Sequence, residues 1–520
     1  MRSALLLGTL FGTLFGSLRR VLLATLLGLA PPAWADATDP AMLYNQHCSA
    51  CHGVGRLGGI GPALLPDNLS RLKQAEAVEV IRDGRPATQM PAYGELLGEA
   101  EVEALAGWIY ERPEVEPSWT DADILASHIV DHYYGALPDE PVFEVEDLKN
   151  LFLVVEIGDH HVSLLDGDKF ERIARFPSRY ALHGGPKYSP DGRYVYFGSR
   201  DGWVTKYDIY NLEVTAEVRA GINMRNIAVS ADGRYVLAGN YLPHSVVLLD
   251  ARNLELIASI PVEGLDGETS RVSAVYTAPP RNSFVVALKD IPEVWEIRWP
   301  EALAEGDEPL VGDFALHRMA APDYLDDFFF DPEYRYLVGA ARGGQGGQVF
   351  DLDSEAKVAD LPLEGMPHLG AGITWELDGR RVMAMPHIDR GLVSVFDMSD
   401  WSPIAQIETD GPGFFMRSHA NSPYAWVDVF FGPNHDRVHV IDKRTLEIVE
   451  TLIPEPGKTA AHVEFDRRGE TLLLSIWDDD GYLLWLDADT LEELGRMPMN
   501  KPSGKYNVWN KTQYEEGTSH

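Results

Sequence analysis

The chain has 520 residues, with 80 Asp and Glu against 44 Lys and Arg, a net charge of −36. So large an acidic excess excludes non-specific nucleic-acid binding as a main role, because phosphate contact needs a basic face. The length exceeds one ordinary core, so at least two domains are expected.

Residues 1–35 read as a secretory signal peptide. Met1–Leu29 is apolar, Arg19 and Arg20 precede a run too short to span a bilayer, and Ala33-Trp34-Ala35 is an A-x-A cleavage site. Cleavage is expected after Ala35. No later stretch is apolar enough to cross a membrane, so a soluble exported protein is expected.

Cys48-Ser49-Ala50-Cys51-His52 comes next, and these are the chain's two cysteines. C-x-x-C followed at once by His is the attachment signature of a c-type haem. The thiols form thioethers to the porphyrin, and His52 is placed to ligate iron. A zinc site would need two further ligands at matching spacing. Covalent haem attachment suits an exported bacterial protein, so a periplasmic location is expected. Gln89-Met90-Pro91 supplies the sixth ligand, Met90, on a loop stiffened by Pro91. A thioether opposite His raises the haem potential and suits electron transfer. Helices are predicted over 44–51 and 96–111, giving a small all-α cytochrome over residues 36–112.

A proline-bearing acidic stretch, 113–118, opens a linker that runs to residue 148, and 120–134 has room for a short helix. From residue 149 the texture becomes short apolar runs separated by turns. Ser189-Pro190-Asp191-Gly192-Arg193-Tyr194 and Ser230-Ala231-Asp232-Gly233-Arg234-Tyr235 each open a strand, a loop and a second strand ending in Asp208 or Asp250. Related units begin near Arg281, Pro332, Asp378, Ser422 and Arg467, and a first one starts at Leu151. Eight units at a period of roughly 40–50 residues predict an eight-bladed β-propeller over 149–520. The last strand-like piece, 505–510, is expected to pair with the first blade and close the ring.

Three histidines sit beside glycine, proline or other small residues: His183, His368 and His419. Histidine is a common iron ligand and the usual proton carrier near neutral pH. A CxxCH cytochrome with a downstream Met-Pro loop, followed by eight propeller units, resembles the cytochrome cd1 nitrite reductase family and its haem d1-handling relatives. The resemblance covers nearly the whole mature chain. It implies covalent haem c and a non-covalent haem d1 or dihydro-haem d1 in the propeller. It also implies His183 as the proximal iron ligand and His368, in Met366-Pro367-His368-Leu369-Gly370, as a distal-pocket histidine. The macrocycle's carboxylates need guanidinium partners; Arg200, Arg225 and Arg271 are the candidates, with Lys289 and His419 as further cofactor contacts.

The sequence departs from the reductases at one position. Their second distal histidine lies in an L-H-D-G-G-W-D stretch, and the matching Tyr324-Leu325-Asp326-Asp327-Phe328-Phe329-Phe330-Asp331 lacks it. A pocket with one distal His and a Phe cluster fits nitrite reduction poorly. It resembles instead the dihydro-haem d1 dehydrogenases, which form the acrylate side chain in the last step of haem d1 biosynthesis. That resemblance implies His368 as the base and electrons passed to the c-haem. Its implied partners are the tetrapyrrole substrate, a soluble acceptor such as a c-type cytochrome, and other haem d1 biosynthesis or nitrite reductase proteins. Nitrite reduction to nitric oxide is the alternative reading; a haem d1 carrier and a quinoprotein dehydrogenase are more remote ones.

Overall fold

The computed structural model describes residues 39–59, 61–70, 72–84, 90–300, 311–340 and 346–513. The predicted signal peptide and Gln89 lie outside the described residues. No helix among the described residues is long and apolar enough to cross a membrane.

The N-terminal part is helical. α1 (Pro40–His47) and α2 (Ser49–His52) are separated at Cys48, where the 44–51 helix predicted from the sequence is interrupted. α3 (Gln74–Asp83), not foreseen, and α4 (Glu99–Ile109) follow. Leu43, Tyr44, Leu97, Val102 and Leu105 form their shared core. α5 (Asp121–Ser127) is shorter than the 120–134 segment allowed for it. It starts at a capping box in which the Thr120 N–H donates to Asp123 and the Asp123 N–H to Thr120 Oγ1. The chain then runs as a two-residue strand, Ile129–Val130, against the outer strand of a blade. The linker is therefore tied down over much of its course rather than loose. Trp119 Nε1 donates to the Arg219 carbonyl (2.8 Å), and the Val142 N–H donates to Tyr210 (2.9 Å).

Eight antiparallel sheets make up the described part of the C-terminal region; in blades 2–8 the four blade strands run in sequence order from the axis outward, and in blade 1 the chain's last strand lies innermost. Blade 2 runs Lys187–Tyr188, Tyr194–Gly198, Trp203–Asp208 and Glu213–Arg219, with Ile129–Val130 added outside. The predicted turns recur for a physical reason. Ser189 and Ser230 donate to Asp191 and Asp232 (2.5 and 2.6 Å), which accept the Arg193 and Arg234 N–H groups (both 3.1 Å). The strand-ending aspartates have a separate task. Asp208, Asp250, Asp351, Asp397, Asp442 and Asp487 each accept an N–H from two residues on, fixing the turn to the outer strand.

Ring closure follows the expected pairing but not the expected span. The closing strand is Pro502–Asn507, paired with Leu151–Glu156 of blade 1. Residues 508–510, read as strand from the sequence, belong instead to helix α6 (Val508–Thr512). Asn507 decides the switch. Its Nδ2 donates to Asn150 Oδ1 (3.1 Å) while its Oδ1 caps α6 by accepting the Asn510 N–H (3.3 Å), and both asparagines are fully buried. Asn507→Ala should lower stability by about 1–3 kcal/mol, since it strands a buried partner; the midpoint of urea unfolding reads this.

Candidate functional site: a haem-binding motif and a histidine-lined propeller cavity

In the helical region Cys48 is the N-cap of α2 and Cys51 lies within it, and both are half-buried. The side chain of His52, 8 % exposed, is oriented by its backbone surroundings. Nδ1 donates to the Pro62 carbonyl (2.8 Å), which leaves Nε2 as the basic nitrogen. Burial holds the imidazole below its ordinary pKa, so it is neutral, as a metal ligand must be. Gly61 packs flat on the ring: a Cβ there would meet His52 Cε1 at 2.9 Å, so no larger residue fits. Tyr44 Oη ties the His52 and Gly53 carbonyls (3.0 and 2.7 Å). Met90 leads into Tyr93, whose hydroxyl donates to the His47 carbonyl (2.8 Å), one residue before the first cysteine. Cys48 and Cys51 are the residues that would hold a covalent haem, and His52 and Met90 those that would ligate its iron.

The propeller's second site follows from strand direction. In blades 2–8 the inner strand starts at one end of the barrel axis and the second strand returns to it. Residues just before an inner strand and just after a second strand therefore meet at one mouth. His183 precedes Lys187–Tyr188, His368 precedes Ile373–Leu377, and Phe414 and Phe415 precede Met416–Ser418. Phe430, Phe431 and Trp477 follow second strands. All of them line one cavity of about 640 Å³, together with Arg225, Asp326 and Tyr506.

Within it, both imidazoles are fixed by backbone carbonyls. His183 Nδ1 donates to Arg225 O (2.7 Å) and His368 Nδ1 to Phe414 O (2.5 Å), so in each ring the basic nitrogen is Nε2. Arg200 Nη2 donates to His183 Nε2 (2.7 Å), and Arg225 Nη1 lies 3.2 Å from His183 Nδ1. Gly184 and Gly185 let the chain turn beside His183. Their φ values are +80° and +69°, and a Cβ on Gly184 would meet Asn226 Cβ at 2.6 Å. The His368 ring stacks on Phe414 (4.3 Å), which packs against Phe415, Phe430 and Phe431. Asp428 holds this wall from behind. Burial pushes its carboxyl up to about 6, so at neutral pH it is largely ionised and accepts the N–H groups of Phe414, Phe415 and His462.

The structure brings together His183, Arg200, Arg225 and His368 and places the other expected residues differently. His419 is not a cavity residue. It follows the inner strand Met416–Ser418 rather than preceding it, which puts it at the opposite rim, against Phe465 and the turn at Gly469. Arg271, just before the inner strand Val272–Ala278, lies at the same mouth, where its guanidinium pairs with Asp290 (2.6 Å). Lys289 reaches the site only through Asp326, with which it forms a close ion pair. The phenylalanines of 328–330 are not the apolar wall. Phe328 packs between blades with Tyr276 and Phe330, and the three line a separate cavity of about 190 Å³. Of the described side chains in that stretch Asp326 faces the large cavity, and the aromatic wall comes from Phe414, Phe415, Phe430, Phe431 and Trp477.

Sequence reasoning also missed the polar layer behind the cavity floor. Arg417 and Glu464 pair at 3.3 Å, both almost fully buried, next to Lys505 and His462. Burial, aided by Lys505 and Arg417, holds His462 well below its ordinary pKa. The only advance signal was charged residues inside otherwise apolar strands, such as His462 and Glu464 in Ala460–Phe465.

A covalent-haem motif beside a propeller whose mouth gathers histidine and arginine defines a two-centre redox protein, a cytochrome joined to a tetrapyrrole-binding propeller. Residues 146–511 match the cytochrome D1 heme domain, and residues 35–109 match the cbb3-type cytochrome c oxidase subunit III. The chain is 60% identical over 501 residues to the dihydro-heme d1 dehydrogenase of Pseudomonas aeruginosa, covering 96% of this chain and all of that one. It superposes with a TM-score of 0.88 on the solved structure of the dihydro-heme d1 dehydrogenase NirN in complex with DHE, at 60% identity, over 91% of this chain and all of that one. The nitrite reductase of Stutzerimonas stutzeri is 24% identical over 557 residues, 94% of this chain and 95% of that one. The chain belongs to the cytochrome d1 haem-domain family and, within it, to the dihydro-haem d1 dehydrogenases.

Met90→Ala should lower the c-haem potential and remove the methionine-to-iron band at the red end of the visible spectrum, as read by redox titration of the purified protein.

Proposed function

We propose that this protein completes haem d1 by dehydrogenating a propionate side chain of dihydro-haem d1 to acrylate. The CH₂–CH₂ unit loses two protons and two electrons. The electrons pass to the covalent haem c and then, one at a time, to a soluble acceptor such as a c-type cytochrome. The observation that carries this reading is the cavity, where two backbone-oriented imidazoles and the arginines Arg200 and Arg225 converge beside an aromatic wall.

The roles follow from chemistry. The tetrapyrrole, when bound, supplies the redox-active iron and the conjugated ring that the new double bond extends. His183, with Arg225 O on Nδ1, offers Nε2 as the iron ligand once Arg200 turns away. Arg200 and Arg225 are then the guanidinium partners for the macrocycle's carboxylates, which they can bind bidentately. His368 is the base. Phe414 O fixes its tautomer and Phe414 its plane, so Nε2 is held ready to take a proton from carbon. The aromatic wall limits water where that proton leaves. Nitrite reduction is disfavoured because the second distal imidazole is replaced by Asp326, already engaged by Lys289. Location in the periplasm rests on the signal-peptide pattern of residues 1–35 and on covalent haem attachment.

The direct test supplies dihydro-haem d1 or nitrite to the oxidised protein. Formation of haem d1 with reduction of the c-haem is expected; consumption of nitrite at a catalytic rate would overturn the reading. His368→Ala should bind dihydro-haem d1 but convert it about 10²–10⁴-fold more slowly, the usual general-base contribution. Single-turnover absorbance at matched occupancy measures it, and an unchanged rate would remove His368 from the chemistry. Arg225→Ala should weaken tetrapyrrole binding by about 1.5–3 kcal/mol, the worth of a hydrogen bond to a charged group, in an equilibrium titration.

A further inference from the structure

The structure joins the two redox sites through one buried arginine. Arg219 ends the outer strand of blade 2, and the residue is 4 % exposed. Burying a guanidinium is costly unless every donor finds a partner. Here the guanidinium donates to backbone carbonyls, one on each side of the contact between the helical region and the propeller. Nη2 donates to Leu57 O (2.5 Å) and Nε to Asp201 O (2.8 Å). Trp119 covers the guanidinium at 4.5 Å, and the buried Asp201 carboxyl offsets its charge.

Each carbonyl leads directly to a proposed iron ligand. On the cytochrome side, Leu57 is bonded to Gly58, whose N–H donates to the His52 carbonyl (2.8 Å). On the propeller side, Asp201 is bonded to Arg200. The Arg200 N–H donates to Ala181 O (3.0 Å), two residues before His183, and its Nη2 to His183 Nε2 (2.7 Å). The backbone branch through Ala181 persists when iron occupies Nε2. We propose that Arg219 is a positioning residue for electron transfer: it completes a continuous covalent and hydrogen-bonded route, His52–Gly58–Leu57–Arg219–Asp201–Arg200–Ala181–Leu182–His183, between the two iron ligands. The inference rests on the dehydrogenase reading and on His183 as the tetrapyrrole ligand. The two electrons leave singly: each reduces ferric haem c by one electron, the soluble acceptor named above reoxidises the haem between them, and the two protons leave separately.

Arg is suited to the task because its planar fork serves two acceptors in fixed directions, which the single ammonium of Lys cannot do. Gly58 shows how tightly the joint is built. At φ +88°, a Cβ there would lie 2.8 Å from Arg219 Nη2.

The test uses the full-length holoprotein. Dihydro-haem d1 is mixed with oxidised enzyme, and c-haem reduction is followed by stopped-flow absorbance. Arg219→Gln and Arg219→Lys should slow this step about tenfold to a hundredfold, the usual cost of displacing a supporting group. The c-haem potential, its methionine band and the tetrapyrrole affinity should stay as in the wild type. Gly58→Ala, which pushes the guanidinium off Leu57 from the other side, should reproduce the slowing if the Arg219 variants fail to fold. Asn68→Ala is the control, because Asn68 Nδ2 makes a second cross-contact to Ile222 O (3.3 Å) away from the route; its rate should match the wild type. An unchanged rate in folded Arg219 variants, or in Gly58→Ala where they do not fold, overturns the proposal. Equal slowing in Asn68→Ala also overturns it, because docking alone would then explain the effect. If wild-type protein fails to reduce its haem at all, the dehydrogenase reading falls rather than this one.

Discussion

Antiparallel alternation within each blade is the constraint from which the site follows. A strand that begins at the mouth ends at the far rim, so the chain visits the mouth only before inner and third strands and after second and outer strands. Residues distant in sequence, His183, Asp326, His368, Phe414 and Trp477, are brought to one cavity by this rule. The rule holds only while the ring stays closed, and closure depends on the pairing of Pro502–Asn507 with Leu151–Glu156. Antiparallel pairing there removes two exposed edges at once. It also sets Ser503, Gly504 and Tyr506 into the cavity floor, so the closing strand belongs to both the scaffold and the site.

The same rule explains which parts of the site could be read from sequence. Turn chemistry is local, so the Ser-x-Asp-Gly-Arg repeats and the strand-ending aspartates announced the blades directly. The C-x-x-C-H motif was equally local. A histidine beside glycine, however, looks the same at either rim: His183 and His419 differ only in whether they precede or follow an inner strand, and periodicity does not mark that. Phe328–Phe330 misled for a related reason. An inner strand alternates its side chains, and here they pack between neighbouring blades, leaving Asp326, just before the strand, to face the cavity. The aromatic wall and the Arg417–Glu464 layer arise from blades 7 and 8 meeting in space, which no short motif records.

Polar atoms in the cavity are held mostly by backbone. Arg225 O and Phe414 O orient the imidazoles, and Asp428 collects three N–H groups behind the aromatic wall. Backbone partners are insensitive to side-chain drift, so the tautomers of His183 and His368 are set by the fold itself. The arginines are the adaptable part. Arg200 rests on His183 Nε2 in this structure, and its long side chain can exchange that partner for a carboxylate at small cost.

The segment between the cytochrome and the propeller carries a kinetic consequence. Trp119 and Ile129–Val130 fasten it to blade 2, leaving only residues 113–118 between α4's end region and the first anchor. A tether this short sets a high effective concentration of one redox centre at the other. Transfer inside the chain is then first-order and indifferent to dilution. Delivery to an outside acceptor remains a collision, and with a net charge of −36 it is the step whose rate responds to ionic strength and to the charge of whatever arrives.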